Sequence, residues 1–187
     1  GRHGDKLTLQ EQPPVAALLD DLDPDVLLRR VSAAGRAIAY ANDEAWYRVG
    51  RATASRRSLN PVRRLRSTRP ERAPLAEGVV VQDGEAVLAV DARPDRDPVL
   101  LLRAAAAAAQ AGLRLSPYAV ARLASESAPL PEPWPIAARD SLISLLGAGR
   151  AAIPVWEALD QADLISRLIP EWKVVRSAPQ RNPVHRF

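Results

Sequence analysis

The sequence predicts a mainly α fold, helical bundle segments with one short β-hairpin, and three observations carry that expectation. Apolar residues recur at steps of four and three from Leu27 to Ala45, the spacing that keeps side chains on one face of a helix. Asp83-Gly84 separates two Val-rich runs, a strong short-range signal for a tight hairpin. From Asp97 onward, prolines, glycines and small polar residues divide the chain into helix-length pieces.

In chain order, the stretch from Gly1 to Gln12 carries Leu7 and Leu9 in alternation without local partners. Pro13 and Pro14 can open a helix without losing a needed hydrogen bond, so Val15 to Leu19 reads as a short helical turn, broken by Asp20, Asp21 and Asp23. Asp23 as N-cap and Pro24 at the first position begin a long helix that the sequence places from Pro24 to about Ala54. Its stripe of Leu27, Val31, Ala34, Ile38, Ala41 and Ala45, extended by Trp46 and Val49, is that of a bundle helix. Tyr40 and Trp46 lie on different parts of its circumference, so packing is a better reading than a nucleotide-stacking pair.

Between Arg51 and Arg72 there are eight arginines and one acidic residue, Glu71. No aromatic residue is available there to stack on bases, so the stretch reads as a solvated Arg- and Pro-rich linker rather than a nucleic-acid contact. Val79 to Gln82 and Glu85 to Val90 then form the hairpin. A two-stranded hairpin is marginal in water, so it is expected to cover a helical core. Asp97-Pro98 starts a helix that runs to Ala111 with Gly112 as its cap. The alanines from Ala104 to Ala109 allow another helix to approach closely. Ser116-Pro117 opens the next helix, and prolines at 129, 131, 133 and 135 make a stiff spacer before a helix from Ile136 to Leu146. Short helices follow at Arg150 to Gln161 and at Leu164 to Ile169.

The composition is that of ordinary globular material: 187 residues, 47% hydrophobic and 26% charged, with a core that must rest on aliphatic side chains because aromatics are 4%. No cysteine is present, which excludes disulfides and thiolate metal sites. No run of 18 apolar residues suggests a membrane span.

The chemistry-bearing residues are sparse. Gly147-Ala148-Gly149-Arg150 lacks the third glycine of a dinucleotide loop and the Gly-Lys-Ser/Thr of a phosphate loop, so it reads as a turn between helices. The two histidines, His3 and His185, stand at opposite ends and define no metal spacing. The carboxylate pairs Asp20-Asp21 and Asp95-Asp97 flank helix starts, where the dipole explains them. These residues alone predict a catalytically inactive chain.

One pattern points further. Pro170-Glu171-Trp172, Ala178-Pro179-Gln180-Arg181-Asn182 and His185-Arg186-Phe187 together resemble the bifunctional enzymes that attach a nucleotidyl group to the PII nitrogen-signal protein and remove it again. Lys6 to Gln12, Leu27 to Val31, Ala39-Tyr40-Ala41 and Val155 to Asp160 resemble the actinobacterial form of the same family, and the likeness is weakest from Arg51 to Pro74. The resemblance implies a segment between a nucleotidyltransferase domain and a metal-dependent HD hydrolase domain. It assigns 1–55 to the helical end of the transferase half, 56–75 to the linker, and 76–187 to a hairpin and helical entry to the hydrolase half. It places His185 beside the hydrolase site without making it a metal ligand. It implies Mg or another divalent metal for the parent, PII and UTP or ATP as partners, a cytoplasmic location, and no choice between uridylyl and adenylyl transfer. The reading of a different class is a free-standing helical scaffold or adaptor with a basic linker.

Overall fold

The computed structural model describes residues 8, 10–19, 23–57 and 73–179, with the backbone alone at 54–57. Its chain divides into two compact units, one formed by Gly1–Arg48 with Glu171–Phe187 and the other by Val49–Pro170.

In the first unit, α1 spans Gln12–Leu18 with both prolines in its first turn, starting three residues earlier than the sequence suggests. The earlier start follows from Thr8 and Glu11: the Glu11 carboxylate accepts from both the Thr8 backbone N–H and the Thr8 hydroxyl, at 2.9 and 2.7 Å. α2 spans Pro24–Arg57, belonging to this unit as far as Arg48, and the Asp23 carboxylate caps it by accepting from the Asp25 N–H at 2.7 Å. The predicted apolar stripe does not form a core here. Leu27 is buried, but Val31, Ile38, Trp46 and Val49 are exposed. A four-residue helix at Trp172–Val175, absent from the sequence reading, follows Pro170; it is α8 in chain order.

The second unit begins with an antiparallel meander of three strands, β1 (Ala73–Ala76), β2 (Val79–Gln82) and β3 (Glu85–Leu88). The hairpin is where the sequence places it. Gln82 pairs with Glu85 across a two-residue turn in which Asp83 and Gly84 have φ of 53° and 78°. The strand before it falls largely within 56–75, the stretch that its arginines and prolines assign to a linker. In fact β1 is an edge strand, where a residue without an N–H is tolerated. Of the linker, 58–72 lie outside the described residues. Past the other edge, the Ala86 N–H donates to the Arg114 carbonyl at 2.9 Å and the Ser116 N–H to the Ala86 carbonyl at 3.0 Å, so β3 is covered by the segment entering the next helix.

α3 (Leu100–Gln110) is the centre of this unit, packing on β1 and β3 and on α5 (Ile136–Gly147) and α6 (Ala152–Gln161). Ala104, Ala105, Ala108 and Ala109 are almost wholly buried, so the alanine run does bring helices together closely. Its end is a Schellman arrangement: Gly112, at φ 65°, donates to the Ala109 carbonyl and Leu113 to the Ala108 carbonyl, at 3.0 and 2.9 Å. α4 (Pro117–Glu126) starts at Ser116, whose hydroxyl accepts from the Ala119 N–H at 3.1 Å. Because that serine is buried, Ser116→Ala is expected to lower stability by about 1 to 2 kcal/mol in a urea melt. A change under a few tenths would show that water caps the helix equally well. Gly149–Ala151 forms the one-turn 3-10 link expected between α5 and α6, and α7 (Leu164–Leu168) closes the unit. The core is Leu100, Leu102, Leu123, Leu145, Val155, Leu159, Leu164 and Ile165.

Candidate functional site

Among the described residues, a cavity of about 410 Å³ within the second unit is lined by apolar, aromatic and charged side chains together. Three parts of the chain shape it. Pro98 and Leu101 come from the start of α3; Ser127, Pro129, Leu130, Glu132 and Trp134 come from the proline-rich spacer; Leu164, Arg167 and Leu168 come from α7. The alternating prolines keep the spacer out of helix. Its two ends are fixed: the Ala128 N–H donates to the Pro94 carbonyl at 2.9 Å, and Arg139 Nε donates to the Trp134 carbonyl at 3.1 Å. Arg167 Nη1 donates to the Ala124 carbonyl at 2.7 Å, which sets its guanidinium at the rim.

Among the described residues, the cavity offers groups that bind and no nucleophile paired with a base. Leucine and proline side chains supply an apolar floor, Trp134 an aromatic wall, and Glu132 and Arg167 opposite charges. Ser127 Oγ is buried with no hydrogen-bond partner, leaving it able to bond a ligand or a water. As a nucleophile it would need a base, and both histidines of the sequence lie outside the described residues.

In two other hollows the arginines are already committed. In one, Arg103 bonds both the Asp97 carboxylate and the Glu77 carbonyl, the latter at 2.9 Å. Beside it, the Arg93 guanidinium pairs with Asp95 at 3.2 Å and holds that carboxyl below its ordinary range. In the other, Arg122 is spent on Glu126 at 3.0 Å and on the Ala92 carbonyl at 2.6 Å.

His185, the one site residue suggested by the sequence, lies outside the described residues, as does His3. Among the described residues no three His, Cys, Asp or Glu side chains converge as a metal site requires, so they do not fit a divalent ion. Gly147 to Arg150 is the helix link it was expected to be, not a phosphate cradle. Trp134, Ser127 and Arg167 were not singled out by sequence. The signal was the Pro-Trp-Pro at 133–135, an aromatic residue held rigid on both sides. Among the described residues no single helix is long and apolar enough to cross a membrane.

No family model and no solved structure matches this chain. Curated relatives do. A bifunctional uridylyltransferase/uridylyl-removing enzyme of Streptomyces coelicolor is 56% identical over 99% of the chain, which corresponds to 23% of that enzyme. The enzyme of the same name from Mycobacterium tuberculosis is 42% identical over the whole chain and 22% of its own length, and that of Corynebacterium glutamicum 37% over 61% of the chain. The chain thus spans less than a quarter of the length of the relatives it matches.

Proposed function

Since this chain belongs, as a segment, to the bifunctional uridylyltransferase/uridylyl-removing enzymes, we propose that it is the helical connector between the two catalytic halves of such a parent. The observation that supports this is the match itself: almost all of the chain is used, and less than a quarter of the relative. In this reading the parent attaches a uridylyl or adenylyl group to PII from UTP or ATP, and removes it by hydrolysis in the cytoplasm. Residues 1–55 extend the transferase half, 56–75 link, and 76–187 lead into the hydrolase half. The nucleotide and the divalent metal are held by parts of the parent other than the described residues.

The test compares the 187-residue chain with the full-length parent, using PII and labelled UTP or ATP. The parent is expected to attach and release nucleotide, and the chain to do neither. Turnover by the chain that persists through repurification would overturn the connector reading, and a parent inactive in both directions would overturn the enzyme reading. His185→Ala in the parent is expected to slow removal by roughly 10- to 100-fold, as outer-shell changes at metal sites do, and to leave attachment within a few-fold. Equal loss of both activities in a folded protein would place His185 in the general architecture.

A further inference from the structure

α2 presents two faces, and the fold engages the less apolar one. On one side Ser32, Arg36, Tyr40, Glu44, Tyr47 and Arg51, at steps of four and three, are half-buried, and Arg36, Tyr40, Glu44, Tyr47 and Arg51 each have polar or ring interactions. On the other side lies the stripe Leu27, Val31, Ala34, Ile38, Ala41, Ala45. Val31 is 58% exposed and Ile38 70%, and all three alanines of the stripe are exposed; only Leu27 is buried. A surface helix normally turns its apolar stripe inward, so this helix is built for a second neighbour.

We propose that the stripe receives an α-helix from the remainder of the parent polypeptide, an inference that rests on the connector reading above. The spacing specifies a helix. Steps of four and three alternate, so that Leu27, Ala34 and Ala41 stand seven residues apart and Val31, Ile38 and Ala45 likewise, the heptad repeat of a seam between two helices. The alanines allow close approach. Arg30 flanks the seam and Arg48 stands at its end, both exposed, so the incoming helix should carry apolar residues at the same repeat and carboxylates near these two positions.

Size decides between a tethered partner and a second copy of the chain. Eighteen residues of helix make a stripe about 27 Å long and about 10 Å wide, near 300 Å², against about 800 Å² per partner in a stable complex. Alanine at alternate core positions weakens a free two-stranded coil further. A helix on the same polypeptide needs much less surface, because tethering raises its effective concentration to the millimolar range. More than three quarters of each relative's length lies outside the match and can supply it.

The test is thiol labelling of the full-length parent, read by peptide mass spectrometry, at Ile38→Cys on the seam and Asp43→Cys on an exposed position of the far side. Ile38→Cys should react at least tenfold more slowly than Asp43→Cys in the native protein and equally fast in urea. In the 187-residue chain both sites should react at similar rates. Equal rates in the native parent would overturn the proposal. So would slow labelling of Ile38→Cys in the 187-residue chain together with a dimer by sedimentation, which would make the occupant a second copy. Activity toward PII is measured on the same samples, so a covered seam in an inactive parent would sink the connector reading while leaving the docking intact.

Discussion

Leu145→Ala is expected to destabilise the Val49–Pro170 unit by about 2 to 5 kcal/mol, and Leu146→Ala beside it by no more than about 0.5 kcal/mol. The two leucines are adjacent in α5 and about 100° apart around its axis: Leu145 has no exposed surface, whereas Leu146 is 57% exposed. The upper part of the range is favoured because of what faces α5. On α3 the buried surface is mostly alanine, so helix separation is already set close to backbone contact, and the helices have little room to close over a cavity. Urea denaturation followed by far-UV circular dichroism gives both values. A loss below about 1 kcal/mol at Leu145, or equal losses at the two sites, would mean that α5 does not pack on α3 in this orientation.

That contrast also marks where the sequence was legible. The caps at Asp23 and Ser116, the Asp83-Gly84 turn, Gly112 after the alanine run and the glycine link before α6 were all readable, because each rests on chemistry local to a few residues. β1 was not. Pro74 argues locally against a strand, and only the neighbouring strand makes an edge position available to it. The α2 stripe was legible as a bundle face, but periodicity cannot say whether the neighbour lies in the same 187 residues. α5 shows the same limit: Ile136 and Ile143 are exposed opposite the buried Ala138 and Leu145, so an apolar count identifies the helix without choosing its inward side.

The candidate site was the least legible part. The sequence pointed to His185 by resemblance, and that residue lies outside the described ones. The cavity that the fold does form depends on Trp134 meeting Leu101 and Leu168 from segments more than thirty residues away on either side. Proline spacing gives the stiffness of the Trp134 segment but no indication of what it faces.

Gly78→Ala should show most directly how the meander is seated on α3. Both of its turns hold a glycine with positive φ, Gly78 at 74° and Gly84 at 78°, and the left-handed conformation alone should make alanine cost about 1 to 2 kcal/mol at either site. Their surroundings differ. Around Gly84 an added Cβ meets nothing within 4 Å, whereas at Gly78 it would stand 3.0 Å from Leu100 Cδ1 and 3.6 Å from the Ala92 Cβ. Leu100 is 1% exposed and packed at the start of α3, so it cannot swing into solvent, and overpacking should add about 1 to 3 kcal/mol. Gly78→Ala is therefore expected to cost about 2 to 5 kcal/mol and Gly84→Ala about 1 to 2 kcal/mol. A double-mutant cycle separates the two contributions, since Leu100→Ala removes the obstructing methyl and leaves the backbone strain. In that background Gly78→Ala should cost no more than Gly84→Ala; an undiminished cost would show that strain in the turn, not contact with α3, sets the requirement for glycine.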